Sequence, residues 1–441
     1  MKSLLPTLFL SAACGAGLVD HGGVDLQTVL QCSATQEACG GACVSTETDV
    51  NNCGGCGLVC ATPSLATNSC AARTCGFTCN PGFFLCASAQ GCCPASALAA
   101  GGDTSCAVVD GTVQCWGSND SGQLGTSSTG AQWSAKPVTV PGLPPASSVA
   151  VGGHHACAIL AGTGEVACWG ANLAGQLGDG TTTPQGATKV SGISGVTALA
   201  LGGLHSCALT PAGVVCWGAN EAGQLGDGTR TEAHVPPSAP VVLPAATSAI
   251  SAGTAFTCAV ASASVYCWGS NADGQLVDTQ YSYSTTPVLV RNVSNALSVG
   301  VGAAHGCAIG SGSKFWCWGS NFYGQIGDGS PPSATPGFSG VNLAAIVVAG
   351  GLAHTCAIAD SGGAFCWGSN SSGQLGTGSP APLETQPVHV LGLSGVQRLA
   401  LGATHSCAQT SDGVVYCWGN NFNAQVGADQ GGTYLAPRPI Q

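Results

Sequence analysis

Short apolar runs alternate with glycine-bearing turns along most of the chain, in a unit that returns about every 50 residues. Each unit contains a Val, Ala or Leu run that ends in glycine, as in VAVGG at 149–153. A short run around a cysteine follows, then a turn, then a run that ends in Cys-Trp-Gly. A Pro-Val run such as KPVTV at 136–140 opens the next unit. This pattern predicts about four short strands per unit.

Seven Cys-Trp-Gly strings, such as CWGSNDSGQLG at 115–125, mark the copies of the unit. The gaps between successive tryptophans are 53, 48, 51, 50, 49 and 51 residues. A period near 50 with strand-type patterning is typical of a propeller, so we predict an all-β, seven-bladed β-propeller over residues 95–441. The tryptophans that follow the strand cysteines are predicted to be blade core: Trp116, Trp169, Trp217, Trp268, Trp318, Trp367 and Trp418.

The two ends of the repeat region complement each other. The chain finishes with LAPRPIQ, which reads as an opening strand with no repeat after it, and the first unit begins without such a strand. We therefore predict that residues 438–441 pair into the first blade and close the ring.

The paired cysteines of each repeat are predicted to face each other across a hairpin. In CAVVDGTVQC, Asp110-Gly111 is a two-residue turn signal, and centring the register there places Cys106 opposite Cys115. Facing residues on antiparallel strands have Cα atoms about 4.5–5.5 Å apart, which suits a disulfide; a metal site is the alternative. The predicted pairs are Cys106–Cys115, Cys157–Cys168, Cys207–Cys216, Cys258–Cys267, Cys307–Cys317, Cys356–Cys366 and Cys407–Cys417.

The amino-acid composition limits where the protein can be located and which partners it can bind. Only 7% of the 441 residues are charged and the net charge is −11, so no nucleic-acid partner is expected, because phosphate binding needs clustered Lys and Arg. The 27 cysteines divide into one near the start, twelve between residues 32 and 93, and fourteen in the repeats. The two large groups are even in number, as disulfide pairing requires, and this indicates an oxidised, exported protein.

The first residues support export. Residues 1–13 combine Lys2, a short apolar run and small residues, so they are predicted to be a signal peptide. Cys14 directly afterwards resembles the lipidation site of bacterial lipoproteins, with an ordinary cleaved signal as the alternative. Residues 14–31 are predicted to be a tether. The expected location is extracytoplasmic, as an outer-membrane lipoprotein or a secreted protein, with membrane contact only through the lipid.

Residues 32–94 are predicted to be a cysteine-rich module. The segment is short and has few large apolar residues, so covalent bonds are expected to hold it together. The spacing Cys53-Gly-Gly-Cys56 would also suit zinc or a redox dithiol.

The repeated string G-G-x-x-H-S/T-C-A-L followed by G-V-x-C-W-G-x-N-x-x-G-Q-L-G resembles the regulator of chromosome condensation repeat. That family forms seven-bladed propellers. Its best-known member is a nuclear guanine-nucleotide exchange factor, and the family also includes an exported bacterial propeller that inhibits β-lactamases through loop aromatics. The export signal and paired cysteines argue against a nuclear role here, and fold alone transfers neither function.

A histidine stands two residues before the first cysteine in five repeats, and Thr104 and Phe256 take its place in the other two. The resemblance implies a structural, hydrogen-bonding role for this histidine, with a metal array as the alternative. We predict neither a metal site nor a cofactor. No catalytic residue is predicted either, because no catalytic constellation stands out. The histidines are His155, His205, His305, His354 and His405.

The candidate binding residues are those that vary inside the repeated frame. Phe322, Tyr323 and Phe422 place aromatic area on blades five and seven, on either side of Ser371 on blade six. Trp133, Tyr281 and Tyr283 lie in longer loops between blades. Such aromatics suit a protein or glycan partner. We therefore expect a monomeric, exported, lipid-anchored scaffold that binds a macromolecule at the bacterial cell envelope. The alternatives are an exchange-factor-like regulator and a hydrolase or lyase with its site in the tunnel.

Overall fold

The computed structural model of the chain describes residues 31–126, 130–236, 239–277 and 280–441. The chain divides into two compact units, one formed by residues up to Ala61 with Ser69–Gly76, the other by Thr62–Asn68 with Phe77–Gln441. The signal peptide, Cys14 and most of the tether lie outside the described residues. Within the described ranges the regular elements are all strands, and no helix is long and apolar enough to cross a membrane.

The first unit is held by disulfides. Strands β1 (Glu37–Cys39) and β2 (Ala42–Val44) pair in it, and a second two-stranded sheet combines β3 (Ala66–Ala71) and β4 (Thr74–Cys79). The sulfur atoms of Cys53, Cys60 and Cys75 lie within 4.8 Å of one another, but each belongs to a disulfide and cannot act as a thiolate ligand for zinc. Cys53 and Cys56 are bonded to different partners. The bonds of this unit are Cys32–Cys43, Cys39–Cys56, Cys53–Cys70 and Cys60–Cys75.

The second unit is the predicted seven-bladed propeller, preceded by the short strands β5 (Phe84–Leu85) and β6 (Cys92–Cys93). Blade one is β7 (Ala97–Gly101), β8 (Thr104–Val109), β9 (Thr112–Ser118) and β10 (Trp133–Thr139). Blade two is β11 (Ala146–Val151), β12 (His155–Leu160), β13 (Val166–Gly170) and β14 (Gln185–Lys189). Blade three is β15 (Ala198–Leu201), β16 (His205–Thr210) and β17 (Gly213–Gly218). Blade four is β18 (Thr247–Ala252), β19 (Phe256–Ala261), β20 (Ser264–Ser270) and β21 (Tyr283–Leu289).

The remaining blades repeat the four-stranded arrangement. Blade five is β22 (Ala296–Val301), β23 (His305–Gly310), β24 (Lys314–Asn321) and β25 (Ser333–Gly340). Blade six is β26 (Ala345–Gly350), β27 (His354–Ala359), β28 (Ala364–Ser369) and β29 (Leu383–His389). Blade seven is β30 (Val396–Leu401), β31 (His405–Thr410), β32 (Val415–Asn420) and β33 (Thr433–Pro439).

Strands follow chain order within each blade, and every pairing is antiparallel. The first strands line the central tunnel. Because successive strands reverse direction, the first-to-second and third-to-fourth connections of every blade emerge at one end of the ring. We call this end the loop face. The second-to-third hairpins and the connections between blades lie at the opposite end, which we call the turn face.

The predicted hairpin register explains the disulfides of the propeller. Asp110 and Gly111 both have positive φ, at 48° and 77°, as a tight two-residue turn requires. Cys106 therefore faces Cys115, with Cα atoms 4.0 Å apart, and the two are bonded. The same bond joins the second and third strands of each of the other six blades.

The hydrophobic core lies between neighbouring blades. All seven repeat tryptophans are fully buried, as expected. Each belongs to a cluster that also contains side chains of the preceding blade; Trp169, for example, packs with Val108 and Val113 of blade one. Seven such clusters, one at each boundary, therefore hold the ring together.

The ring closes without the predicted strand exchange. The prediction that residues 438–441 pair into blade one is wrong, because Arg438 pairs with Cys417 inside blade seven. A segment of residues 80–95, which we call the strap, bonds both neighbouring blades instead. The Gly82 N–H donates to the Ile440 carbonyl of blade seven, and the Gln114 side chain of blade one donates to the Leu85 carbonyl.

The strap also supplies packing at this boundary. Phe84 is buried with its ring centroid 5.8 Å from that of Trp116, in the cluster that contains Ile440. The bond Cys86–Cys93 joins two parts of the strap, and Cys79–Cys92 links it to the residue that precedes it. The sequence of the propeller alone gave no sign of this element, since the strap lies in the cysteine-rich segment.

In the described residues of blade three, the fourth strand that the repeat pattern predicts is not formed. The pairing there consists of a bridge between Gly218 and Ala233 and a bond from the Val241 N–H to the Val214 carbonyl. The segment that would form the strand reads VPPSAPV at 235–241. Proline donates no backbone N–H, so this composition cannot support a regular ladder.

Candidate binding face

The tunnel opens at the loop face into an apolar cavity of about 600 Å³. Its wall is built from strand ends and glycine-rich connections, with Leu204 and Leu352 at the mouth. Among the described residues that line this cavity, His154 is the one ionisable side chain. A second cavity of about 290 Å³, lined chiefly by aliphatic side chains, occupies the rest of the tunnel. The tunnel wall thus contains no acid–base pair within the described residues.

Backbone hydrogen bonds form a collar around the tunnel mouth. At six blade boundaries, an N–H in the first loop of one blade donates to a carbonyl in the first loop of the next. Examples are Gly203 N–H to Thr254 and Ala403 N–H to Gly102, the latter across the boundary between blades seven and one. The close approach of these loops requires glycine at several positions; a Cβ on Gly102 would lie 2.0 Å from the Gly153 oxygen.

The five repeated histidines lie behind this collar, fully buried, and each reaches into the next blade. Their Nε2 atoms lie 2.8–2.9 Å from a hydroxyl of the following blade. The pairs are His155–Ser206, His205–Thr257, His305–Thr355, His354–Ser406 and His405–Ser105. The structural role implied by the family resemblance is thus the one observed, and the five side chains do not converge on a common centre.

Each of these five hydroxyls in turn donates a hydrogen bond to the backbone carbonyl of a glutamine. The Thr257 hydroxyl donates to the backbone carbonyl of Gln224, which also accepts from the indole N–H of Trp268. A hydroxyl has one proton to donate, so the facing Nε2 must be the donor. Among the described residues, its Nδ1 is buried without a hydrogen-bond partner.

Burial is the main cause that keeps these histidines uncharged. It lowers the pKa of His205 to about 4 and, with smaller contributions from neighbouring histidines, the pKa of His354 to about 3. Protonation would place a donor on Nδ1, which has no acceptor nearby. The histidines therefore do not suit acid–base chemistry near neutral pH.

A signal for this network was present in the sequence but was not used. Whenever a blade has the histidine, the next blade has Ser or Thr directly before its first cysteine. Where Thr104 replaces histidine, the next blade has Ala156, and where Phe256 replaces it, the next blade has Gly306. All seven boundaries obey this rule, so comparing each repeat with its successor would have revealed the contact.

The exposed aromatic side chains are concentrated on the loop face. Phe322 and Tyr323 are about half exposed at the third-to-fourth loop of blade five, and Phe422 is 58% exposed at the matching loop of blade seven. Ser371 is exposed at the same loop of blade six. Trp133, Tyr281 and Tyr283, which the sequence could not assign to a side, also lie at this end, because they occupy or precede the start of fourth strands.

The rings are spread around the face rather than gathered in one pocket. Tyr283 of blade four lies under a residue of blade three: the guanidinium carbon of Arg230 is 4.6 Å from its ring centroid. Arg230 also donates to the Glu221 carbonyl in the same loop. This contact is a cation–π interaction across a blade boundary.

Acidic side chains share the loop face. Its loops contain nine acidic residues and one basic residue, Arg230, among the described residues. The acidic residues are Asp103, Asp120, Asp179, Glu221, Asp227, Glu232, Asp273, Asp328 and Asp429. Asp328 is bound within its own loop, where its carboxylate accepts from the backbone and hydroxyl of Ser330. The described turns and adjoining strand ends of the turn face contain four acidic and three basic residues. They are Asp110, Glu165, Asp360 and Asp412, with Lys189, Arg291 and Lys314.

Fold and repeat together define an RCC1-type propeller. The model of the RCC1-like domain matches residues 179–441, and models of the regulator of chromosome condensation (RCC1) repeat match residues 110–159 and 146–176. The chain belongs to this family.

Solved structures agree on the fold. Human WBSCR16 is 22% identical, with a TM-score of 0.66, over 75% of this chain and 94% of that protein. Yeast RCC1 (Prp20), solved with Kap60, is 21% identical with a TM-score of 0.65, over 74% of this chain and 83% of that one. A second structure of Prp20p from Saccharomyces cerevisiae, described with its binding to Gsp1p and histones, is 20% identical with a TM-score of 0.66, over 74% and 85% of the two chains. At this identity the likeness establishes the fold alone.

Proposed function

We propose that this chain is an exported propeller scaffold whose loop face binds a protein partner at the cell envelope. The observation that carries the proposal is the placement of the exposed aromatic side chains on one face of a rigid ring. Aromatic residues supply large contact area and dominate binding energy in protein interfaces. Yeast RCC1 (Prp20), which shares the fold, was solved bound to a protein, Kap60.

The state of the cysteines supports an extracytoplasmic location. Every cysteine of the described residues is disulfide-bonded. Such dense bonding indicates an oxidising compartment, because cytosolic thiols are kept reduced. Anchoring through a lipid on Cys14 remains part of this proposal, and mass spectrometry of the mature N-terminus tests it.

The two alternatives have less support. An exchange-factor role would place the chain beside a cytosolic or nuclear GTPase, where its disulfides would not persist. A tunnel-site hydrolase or lyase would need paired acid and base groups, whereas the described tunnel lining has His154 alone.

A cross-linked pull-down from envelope and culture-fluid extracts tests the proposal. The bait is the full oxidised chain, because the strap contributes to the boundary between blades seven and one. The test variant changes Phe322, Tyr323 and Phe422 to Ser. The matched control changes Val242, Leu297 and Leu391, exposed apolar residues of the turn face, to Ser.

We expect one partner that the unaltered chain and the control variant capture and the aromatic variant loses. Equal capture by both variants would contradict the loop face as the binding site. Capture of a GTPase whose nucleotide exchange is accelerated by the chain would favour the exchange-factor alternative.

A further inference from the structure

The two faces of the propeller differ in charge as well as in aromatic content. With histidines neutral, the described residues in the loops of the loop face carry nine negative charges against one positive, and the described turn face is close to balanced. Only 7% of the chain is charged, so this separation accounts for much of the net charge of −11. A face of one sign attracts ligands of the opposite sign over roughly a Debye length, about 8–10 Å in physiological salt.

Acids and aromatics occupy equivalent loop positions in different blades of the ring. Between the repeated Asn and Gly-Gln, blades one, three and four have Asp120, Glu221 and Asp273. The same place holds Phe322-Tyr323 in blade five and Phe422 in blade seven. Asp120 and Glu221 are exposed, and their carboxylates form no hydrogen bond or ion pair with the residues that the structure describes. Their carboxylates are therefore available to a partner.

The face already accommodates one cation in the way that a partner's side chain would bind. The guanidinium carbon of Arg230 lies 4.6 Å from the Tyr283 ring centroid, and Arg230 is in the same loop as Glu221. Guanidinium and ammonium groups bind favourably over such rings, and carboxylates nearby add charge pairing. On the turn face, by contrast, the basic residues Lys189, Arg291 and Lys314 nearly offset the four acidic residues of the described turns.

From these observations we infer that the loop face binds a basic protein, one that presents Lys and Arg side chains to the ring. The carboxylates attract the partner and the exposed rings supply the contact area. This inference rests on the proposed function and adds the chemistry of the partner to it.

Fluorescence anisotropy with labelled model peptides tests the inference on the full oxidised chain. The probes are a peptide of alternating Arg and Gly, its Glu and Gly counterpart, and a neutral chitin oligosaccharide. The test variant is Asp120→Asn with Glu221→Gln. The control, Asp110→Asn with Asp360→Asn, removes the same charge from exposed turn-face positions. Each variant is measured at low and at physiological ionic strength.

We expect the Arg peptide to bind and the Glu peptide not to bind. The loop-face variant should weaken Arg-peptide binding by about tenfold and flatten its salt dependence, and the control by less than about twofold. Equal losses in both variants, no Arg-peptide binding at low salt, or tighter binding of the oligosaccharide would overturn the inference. Capture of an acidic protein in the pull-down, with the aromatic dependence intact, would overturn it too but leave the binding role standing.

Discussion

At the scale of single residues, the buried histidine of five blades forms a hydrogen bond whose other partner belongs to the next blade. His205 and Thr257 illustrate the dependence: the imidazole donates to a hydroxyl whose own proton is committed to the Gln224 carbonyl. A buried donor left without its acceptor costs about 1–3 kcal/mol. The chain avoids this cost at two boundaries by changing both partners together, as at Phe256 and Gly306.

Replacing one member of a histidine–hydroxyl pair should therefore lower the free energy of unfolding more than replacing both members. We expect His205→Phe to lower the free energy of unfolding by about 2–3 kcal/mol, because the phenyl ring crowds the Thr257 hydroxyl and leaves its oxygen without a donor. Adding Thr257→Gly, which copies the boundary between blades four and five, should recover at least about 1 kcal/mol. Urea unfolding of the single and double variants measures the coupling. His154→Phe, at an exposed neighbour, is the control, and additive effects would contradict the pairing.

The same histidines predict how stability depends on pH. Burial holds their pKa at about 3 to 4, below the value of 6.5 expected in the unfolded chain. Below pH 6.5 the unfolded chain therefore binds more protons than the folded one. Stability is complete above this pH and falls towards pH 4, by up to about 1.4 kcal/mol per pH unit for each histidine.

Urea midpoints between pH 7.5 and pH 5 check this slope. Carboxylates in the folded chain contribute little there, because they titrate lower. In the His205→Phe/Thr257→Gly variant, the free energy of unfolding should depend less steeply on pH, by the contribution of one histidine. A slope unchanged from that of the original chain would show that His205 is charged when folded.

At the scale of secondary-structure elements, each blade contains a hairpin of its second and third strands that is closed by a disulfide. Strand periodicity, the Asp110-Gly111 turn and the cysteine spacing were sufficient to predict this hairpin and its bond. The repeat pattern did not predict the missing strand of blade three, because local proline content overrides the periodicity there. It also could not place Trp133 or Tyr281, since only the chain direction of neighbouring strands assigns a loop to a face.

Burial predicts the order in which the disulfides are reduced. The propeller cysteines are 0–1% exposed, whereas Cys56 of the first unit is exposed. A reductant should therefore open Cys39–Cys56 while the fourteen propeller cysteines stay bonded, until denaturant is added. Alkylation and peptide mapping without and with denaturant measures this order. Early labelling of Cys157 or Cys168 in the folded protein would contradict it.

At the scale of the whole molecule, the ring is closed by a different device from the one its sequence suggests. Complementary chain ends made strand exchange the natural expectation, but blade seven contains its own fourth strand. The strap closes the boundary from outside the repeats, and nothing in the repeat pattern could reveal it. The Trp116 indole N–H at this boundary is buried without a partner, whereas the other six donate to a glutamine carbonyl.

The strap should therefore determine the stability of one boundary. We expect Phe84→Ala to lower the free energy of unfolding by about 3–4 kcal/mol, since it removes a buried ring that packs on Trp116. Amide hydrogen exchange should rise in blades one and seven and stay unchanged in blades three and four. Phe322→Ala, on the exposed loop, serves as the control. Uniform destabilisation of all blades would contradict a local role for the strap.

The confinement of each propeller disulfide to one blade has a mechanical consequence. No disulfide of the described residues joins two blades, so between blade one and blade seven a stretching force meets covalent cross-links within single blades. Each bond shields the residues between its cysteines, so an opened blade of about 50 residues would extend by roughly 130 Å rather than 170 Å. Under tension at a surface the ring would lengthen in seven short steps, and every blade would retain a closed hairpin from which to refold when the force is released.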